Sequence, residues 1–270
     1  PRIKEKSCPI KKLKNGKNKI MMIELDTIYN EDCLETMKRI PGNSVDLIIT
    51  SPPYNNFRNK RTQKNREKYW KRTVIKYDNF NDEMSEDVYQ DWQINVINEC
   101  LRILRPGGTL CYNHKDRIYE FSVISPLVWI LKSNALLRQT IIWDRMGMQA
   151  CNPVRFYRFE EFIYILGKEK IKYKFNSEFA KYNSIWRILP SKNIYEHNAT
   201  FPEEIPKRLI ESLSNENDIV YDPFCGIGTT AIAAKKLNRR FIGSEISPKY
   251  CEIANELLSH TIENDEGDYF

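Results

Sequence analysis

The sequence predicts an α/β domain that has a mostly parallel sheet with helices on both faces. From residue 22 onward, short apolar runs that are typical of buried strands alternate with segments of helical periodicity. The turn Arg105-Pro106-Gly107-Gly108 separates a long helical segment from the apolar run that follows it. Strands that alternate with helices favour parallel pairing, because each connection must cross over the sheet.

The individual elements follow from these patterns. An apolar run from Val45 to Ile49 predicts a buried strand, and a stripe that includes Val88, Trp92 and Val96 predicts a long helix. In chain order, the predicted strands are 23–29, 45–50, 109–112, 137–144, 161–166, 219–221 and 241–245, and the predicted helices are 33–40, 85–104, 117–132, 202–213, 229–237 and 249–258.

Composition divides the chain into a domain and two tails. Residues 1–21 are a basic N-terminal tail, residues 22–260 are the predicted domain, and residues 261–270 are an acidic C-terminal tail. The formal net charge of +6 is compatible with a polyanionic partner. The seven cysteines are scattered and the three histidines lie far apart, so we expect reduced thiols in the cytoplasm and no metal site. No apolar run reaches the roughly 20 residues that a membrane span needs.

The segment Ser51-Pro52-Pro53-Tyr54-Asn55 is a chemically distinctive strand end. Two prolines remove two backbone N–H donors and fix two φ angles, and the residue before a proline avoids the helical region. The corner is therefore extended, with free carbonyl acceptors and a phenol ring just beyond them. These groups suit a planar ring that bears an amino group, such as a nucleobase. Proline N atoms cannot form an oxyanion hole, which argues against Ser51 as a hydrolase nucleophile.

A second motif predicts a nucleotide-type cofactor. Gly226-x-Gly228-x-x-Ala231 lies between a strand and a helix and matches the glycine fingerprint of dinucleotide-binding turns. Glu245 ends the next strand, close to the ~20-residue spacing at which an acid reaches a ribose hydroxyl. Asp222 at this turn would repel a pyrophosphate and attract an ammonium group, which favours S-adenosylmethionine over a nicotinamide dinucleotide.

Together the two motifs resemble those of the DNA amino-methyltransferases, which contain (S/D/N)-P-P-Y and D-P-F-x-G-x-G-T-T. The resemblance covers about residues 23–260 and includes Arg158-Phe159-Glu160-Glu161 and the segment 197–202. Because the proline motif comes first and the glycine loop last, the order resembles the β class. It implies a circularly permuted, Rossmann-like methyltransferase fold, with S-adenosyl-L-methionine as methyl donor and S-adenosyl-L-homocysteine as product.

The resemblance also implies roles for individual residues. Ser51 and the carbonyl of Pro52 would accept hydrogen bonds from the target amine, Pro53 would hold the corner rigid, and Tyr54 would stack on the base. A base inside a duplex is out of reach, so it must be flipped out. The implied cofactor residues are Asp32 near the adenine, Asp222 near the ammonium, Glu245 at the ribose, and Pro223, Phe224, Gly226, Gly228, Thr229, Thr200 and Phe201 around the site.

Two segments are candidates for DNA contact. Residues 56–80 form a basic insert with nine Lys or Arg side chains against two acidic ones, interleaved with aromatic residues. Residues 168–196 lie where the family places target recognition. The candidate DNA-binding residues are Arg58, Lys60, Arg61, Lys64, Arg66, Lys68, Lys71 and Arg72 in the insert, and Lys174 and Arg187 in the second segment.

Several alternatives remain open at the level of sequence. Serine at position 51 resembles the cytosine-N4 branch, whereas aspartate is commoner in the adenine-N6 branch, so we expect cytosine N4 and keep adenine N6 as the alternative. A nicotinamide-dinucleotide oxidoreductase and an inactive nucleic-acid-binding relic are further alternatives. DNA is the expected partner, and a homodimer and a cognate restriction endonuclease are additional partners that the resemblance allows.

Overall fold

The computed structural model describes residues 23–55, 84–119, 122–147, 156, 158–179, 182–191 and 201–263. The predicted N-terminal tail, the basic insert 56–80 and Thr200 lie outside these residues. Of the acidic C-terminal tail, residues 261–263 continue the last helix and the remainder lies outside the described residues. Among the described residues, no helix is both long and apolar enough to cross a membrane.

The core of the molecule is an eight-stranded mixed sheet. Its strands lie in the order β1-β10-β9-β2-β3-β7-β6-β8, and β4 and β5 form a separate antiparallel pair. The first five strands of this order are parallel, β7 is antiparallel to β3 and β6, and β8 is parallel to β6. The strands are β1 Thr27–Tyr29, β2 Val45–Thr50, β3 Leu104–His114, β4 Arg117–Tyr119, β5 Ser122–Ile124, β6 Leu136–Asp144, β7 Glu160–Gly167, β8 Ile185–Arg187, β9 Ile219–Asp222 and β10 Arg240–Ser244.

Helices cover both faces of this sheet, as the sequence predicts. They are α1 Cys33–Arg39, α2 Glu86–Ile103, α3 Leu127–Ile130, α4 Glu204–Leu213, α5 Thr229–Lys236 and α6 Pro248–Glu263. Side chains of α1, α2 and α3 form one hydrophobic cluster with the sheet, and those of α4, α5 and α6 form another. Along β2, Leu47 and Ile49 belong to the second cluster and Ile48 to the first, since successive strand residues point to opposite faces.

The structure corrects the predicted elements between residues 104 and 132. The turn at Arg105 lies inside strand β3, and the pairing with β2 shifts register between Val45 and Leu47 to accommodate it. The predicted helix 117–132 is wrong, because its first half is the β4–β5 hairpin and only α3 is helical. The hairpin pairs the β-branched residues Ile118 and Val123, whose side chains favour strands over helices.

The topology directs attention to one edge of the sheet. Strands β1, β10, β9, β2 and β3 all end at this edge, which we call the carboxyl edge. From β9 the chain continues through α5 on one face, whereas from β2 it continues through α2 on the other. The neighbouring strands β9 and β2 therefore form a topological switch point, where ligands of α/β proteins bind.

Candidate functional site

The two motifs identified from sequence flank this switch point. Leu47 and Ile48 of β2 pair with Val220 and Tyr221 of β9, so the loops that follow these two strands leave the sheet side by side. Ser51 begins one loop directly after β2, and the glycine loop follows Asp222 at the end of β9. The fold thus brings together two segments that lie far apart in the sequence.

The glycine loop needs its glycines for backbone reasons. Gly226 and Gly228 both have positive φ, at 53° and 83°, a region that other residues rarely adopt. A Cβ atom on Gly228 would lie 3.0 Å from the Cβ of Ala254 on α6. The Gly228 N–H donates to the Cys225 carbonyl at 2.8 Å, which closes the turn before α5. The motif therefore sets the loop shape and lets α5 pack closely on α6.

Asp222 is a buried carboxylate within this loop. It is 6% exposed and accepts hydrogen bonds from the Phe224 N–H at 3.0 Å and from the Thr230 hydroxyl at 2.6 Å. Burial raises its pKa to about 6, and these hydrogen bonds limit the shift. A cationic group that approached the loop would stabilise the ionised form.

Glu245 lies on the other side of the glycine loop. Its carboxylate accepts from the Gly226 N–H at 2.9 Å and from the Ser247 N–H at 2.8 Å, and burial raises its pKa. A carboxylate has about four acceptor positions, so lone pairs remain for hydroxyl groups. Asn30 connects the end of β1 to this residue, because its amide donates to the Glu245 carbonyl at 2.8 Å.

Asp32 lies two residues beyond Asn30 and has a structural role as the N-cap of α1. Its carboxylate accepts from the Leu34 N–H at 2.7 Å. The helix begins at the carboxyl edge, and the Glu245 N–H bonds to the Tyr29 carbonyl at 3.0 Å. Asp32 therefore lies at the β1 end of the carboxyl edge, and its place near the cofactor adenine stays a prediction.

Of the remaining predicted cofactor residues, Pro223 and Phe224 belong to the glycine loop and Thr229 begins the helix after it, whereas Phe201 contacts a strand farther along the sheet. Pro223 is buried, and the Phe224 ring makes an edge contact with Trp92 of α2 at 5.6 Å between centroids. Thr229 is the first residue of α5. The Phe201 ring packs edge-on against Trp143 of β6 at 5.9 Å.

A buried polar network of side chains from α2 and β3 holds the Ser-Pro-Pro-Tyr corner in place. The Pro53 carbonyl accepts from the Tyr89 hydroxyl at 2.8 Å, and the same hydroxyl lies 2.8 Å from Nε2 of His114. Gln93 donates to Tyr89 at 2.8 Å. Burial lowers the pKa of His114 well below its ordinary value, so this imidazole is neutral near pH 7. Anchoring from α2 and β3 therefore fixes the corner.

Two residues at the end of β3 contact the Tyr54 ring. Its ring is 4.5 Å from the His114 ring, between centroids, with an interplanar angle of 47°. The Lys115 ammonium lies 4.8 Å from the Tyr54 ring centroid. The ring is half-buried, and Pro52 and Pro53 are buried.

Polar groups from three strands meet at Ser51. The Ser51 hydroxyl lies 2.9 Å from the Tyr54 hydroxyl, which donates to Glu161 Oε2 at 2.9 Å. The Asn113 amide nitrogen lies 3.2 Å from Ser51 Oγ, 2.9 Å from the Tyr54 hydroxyl and 2.9 Å from Glu161 Oε2. Arg145 donates to the other oxygen, Oε1, at 3.0 Å.

Neither sequence motif assigns a role to Asn113 or Glu161. Asn113 lies near the end of β3 and Glu161 near the start of the antiparallel β7, so both reach the carboxyl edge. Both are buried, at 1% and 5% exposure. A polar residue at the end of an apolar run was the available signal, but only the strand order shows that the two side chains meet.

The two candidate DNA-binding residues within the described part of the chain lie at opposite edges. Arg187 ends β8 at the carboxyl edge, is 73% exposed, and lies 3.5 Å from the Asp144 carboxylate. Lys174 forms an ion pair with Asp218, which directly precedes β9, and its N–H bonds to Gly107. Lys174 therefore lies at the far edge from Ser51, which argues against its predicted DNA contact. The eight insert candidates lie outside the described residues.

Within the described ranges, no group of three or more His, Cys, Asp or Glu side chains could hold a metal ion. The five cysteines in those ranges are free and buried. Burial raises the pKa of each of these thiols. They are therefore protonated near pH 7 and do not provide a nucleophile.

Comparison with known proteins identifies the family of this chain. The chain is 30% identical over 280 residues to the type II methyltransferase M.BglII of Bacillus subtilis, covering 91% of this chain and 72% of that protein. It is 29% identical to the DNA adenine methyltransferase YhdJ of Escherichia coli, covering 85% and 81%. The crystal structure of an M1.HpyAVI–SAM complex superposes with a TM-score of 0.59 at 26% identity, covering 86% of this chain and 99% of that one. Residues 45–256 match the N6_N4_Mtase family model, described as DNA methylase, and the chain therefore belongs to this family of DNA methylases.

Proposed function

We propose that this protein transfers a methyl group from S-adenosyl-L-methionine to the exocyclic amine of a flipped base in DNA, with cytosine N4 as the favoured acceptor. The observation that supports this most directly is the juxtaposition at the switch point. The glycine loop with Asp222 and Glu245 leaves the sheet beside the acceptor-rich corner at Ser51. The switch point thereby places a candidate cofactor loop beside a candidate amine-binding corner.

The chemistry of the loop fits this cofactor. Asp222 would face the methionine ammonium, since a buried carboxylate with a raised pKa gains most from a cation. Glu245 would accept hydrogen bonds from the ribose hydroxyls. Family membership and a relative solved as a SAM complex support the same cofactor, and they disfavour the nicotinamide alternative. When bound, S-adenosylmethionine supplies an electrophilic methyl group on a sulfonium.

Catalysis at the corner would rest on positioning. An exocyclic amine is a poor nucleophile because its lone pair is delocalised into the ring. Ser51 Oγ and the Pro52 carbonyl would accept its two N–H bonds and favour the pyramidal geometry needed for attack. The amine nitrogen would bond to the methyl carbon as sulfur keeps the electron pair of the broken sulfur–carbon bond, and the nitrogen would release one proton to water. This is preorganisation without a covalent enzyme intermediate.

The flipped base and its DNA would be held around this corner. The Tyr54 ring, backed by His114, would give the base a stacking platform. Arg187 and the basic insert would contact the phosphate backbone, because exposed cations at this edge suit a polyanion. We retain the insert residues from Arg58 to Arg72 as proposed contacts and give Lys174 a structural role.

The choice of cytosine as the target base rests on Ser51. Adenine N6 is the second candidate, since both bases present an amino group to the same acceptors and YhdJ, at 29% identity, is named a DNA adenine methyltransferase. A homodimer and a cognate endonuclease remain proposals that go with the restriction–modification setting.

Incubation with labelled S-adenosylmethionine and mixed-sequence DNA, followed by nucleoside mass spectrometry, tests the proposal. We expect label in 4-methylcytosine. Label in 6-methyladenine would select the second candidate. Label in neither nucleoside, from protein shown to be folded and to bind the cofactor, would support the inactive relic.

A further inference from the structure

We propose that Glu161 is a positioning residue that orients the Ser51 hydroxyl through the Tyr54 hydroxyl, so that Ser51 presents only acceptor lone pairs to the target amine. This inference rests on the proposed function, because it concerns how Ser51 meets an amine. It assigns Tyr54 a second task besides stacking, which its hydroxyl performs and its ring does not.

Glu161 determines which groups donate and which accept in this cluster of hydrogen bonds. A carboxylate can only accept, and this one is 5% exposed, so protein donors and not water satisfy it. Its Oε1 accepts from Arg145 at 3.0 Å, and its Oε2 accepts from the Tyr54 hydroxyl and the Asn113 amide, each at 2.9 Å. The single proton of the Tyr54 hydroxyl is therefore committed to Glu161.

The consequence reaches Ser51 in one further step. With its proton on the Glu161 side, the Tyr54 oxygen can only accept, and the Ser51 hydroxyl at 2.9 Å is positioned to donate to it. The Asn113 amide nitrogen, 3.2 Å from Ser51 Oγ, occupies a second position around that oxygen. The remaining lone pair of Ser51 is then left as an acceptor for a group bound at the switch point.

The orientation of Asn113 is fixed by the same carboxylate. If its amide were reversed, the carbonyl oxygen would lie 2.9 Å from Glu161 Oε2, and two acceptors would repel each other. The amide nitrogen therefore faces the cluster. Glu161 thus controls both neighbours of Ser51.

Orientation of the Ser51 hydroxyl matters because a serine hydroxyl can either donate or accept a hydrogen bond. A free hydroxyl can rotate its proton toward the switch point, where it would meet the N–H bonds of the target amine as donor against donor. Aspartate, the other common residue at the first position of the motif, has no proton to misdirect when ionised. The need for Glu161 is therefore specific to serine at position 51.

The test compares E161Q with the matched control E160Q, which makes the same charge change at the neighbouring, partly exposed position of β7. Glutamine offers one acceptor oxygen to three donors, so the link to Tyr54, Asn113 or Arg145 must fail. We expect kcat of E161Q to fall about 10- to 100-fold with KM for DNA and cofactor affinity nearly unchanged. E160Q should match the wild type.

A second pair of variants distinguishes an effect that passes through the Tyr54 hydroxyl from a purely structural effect. Y54F keeps the ring and removes the hydroxyl, and we expect it to lower kcat to about the same extent as E161Q. Adding E161Q to Y54F should lower kcat by a smaller factor than E161Q does alone, because the route through the Tyr54 hydroxyl is already removed and only the contact of Glu161 with Asn113 remains. Each variant is checked for an unchanged melting temperature and cofactor affinity.

Two results would overturn the inference. One is an E161Q enzyme with the kcat of E160Q, and the other is a full additional loss when E161Q is added to Y54F. A wild-type protein that methylates no amine would instead refute the proposed function itself. Loss of cofactor binding or of thermal stability in E161Q would also overturn the inference, because it would show a purely structural role.

Discussion

The two loops at the switch point are built in different ways. The glycine loop is stabilised by contacts close in sequence, since Asp222 bonds to Thr230 eight residues away and Glu245 bonds to Gly226 nineteen residues away. The Ser-Pro-Pro-Tyr corner depends on distant partners, since Tyr54 bonds to Glu161 across 107 residues. A local loop can be recognised as a motif, whereas a corner assembled from remote strands must be supported by the whole sheet.

A substitution in the Ser-Pro-Pro-Tyr corner should change the turnover rate and leave cofactor affinity unchanged. We expect Ser51→Ala to lower kcat about 100- to 1000-fold, because one of two acceptors for the amine is lost. Cofactor affinity should stay at the wild-type value, since the loop proposed to bind the cofactor is held by its own contacts. Steady-state methylation and calorimetric titration of the cofactor measure the two quantities. A comparable loss of cofactor affinity would show that the two loops are not independent.

A substitution in the glycine loop should instead lower stability and cofactor affinity. Gly228→Ala places a side chain at a φ of 83° and 3.0 Å from the Cβ of Ala254, so we expect a stability loss of about 1–3 kcal/mol and weaker cofactor binding. Gly42→Ala is the control, because its Cβ would lie 3.4 Å from the Arg102 carbonyl oxygen without a positive φ. Thermal denaturation compares the two, and equal stability would contradict the strain argument.

Sequence reasoning predicted the glycine loop more completely than the corner for this physical reason. The fingerprint Gly226-x-Gly228 and the acid Glu245 are set by local backbone geometry, which sequence spacing records. Asn113 and Glu161 could not be predicted, because their meeting depends on β3 pairing antiparallel with β7. The same limit explains the error at 117–132, where apolar residues fit either a hairpin or a helix.

The fold class was accessible because it depends on alternation and not on particular contacts. Strands and helices alternate over most of the chain, and both faces of the sheet are covered as this pattern predicts. The antiparallel strand β7 departs from the parallel pattern. Its predecessor β6 has no helix after it in the described residues, and nothing in the strand's own apolar pattern reveals direction.

Cofactor binding should depend on pH, because the glycine loop contains buried carboxylates. Burial raises the pKa of Asp222 to about 6, so below this pH a proton competes with a bound ammonium. We expect cofactor affinity to be constant above about pH 6.5 and to fall up to tenfold per pH unit below about 6. Burial also raises the pKa of Glu245, and its protonation acts in the same direction.

Isothermal titration between pH 5 and 8 measures this dependence. Asp222→Asn should bind more weakly at pH 8 and show a flatter profile, because it has no proton to exchange. Asp91→Asn is a matched control, because it makes the same change at an exposed position of α2. A wild-type profile that stayed flat down to pH 5 would contradict the placement of Asp222 beside a cation.

Two basic residues of the segment 168–196 lie at opposite edges of the sheet and should contribute differently to DNA binding. Arg187 is 73% exposed at the carboxyl edge, whereas Lys174 pairs with Asp218 at the opposite edge. We expect Arg187→Ala to weaken DNA binding only a few-fold and to reduce the salt dependence of the logarithm of the binding constant by about one unit. Lys174→Ala should leave the salt dependence unchanged and lower stability slightly, because Asp218 loses its partner. Fluorescence anisotropy over a range of salt concentrations distinguishes them, and an equal reduction in both variants would place DNA on both edges of the sheet.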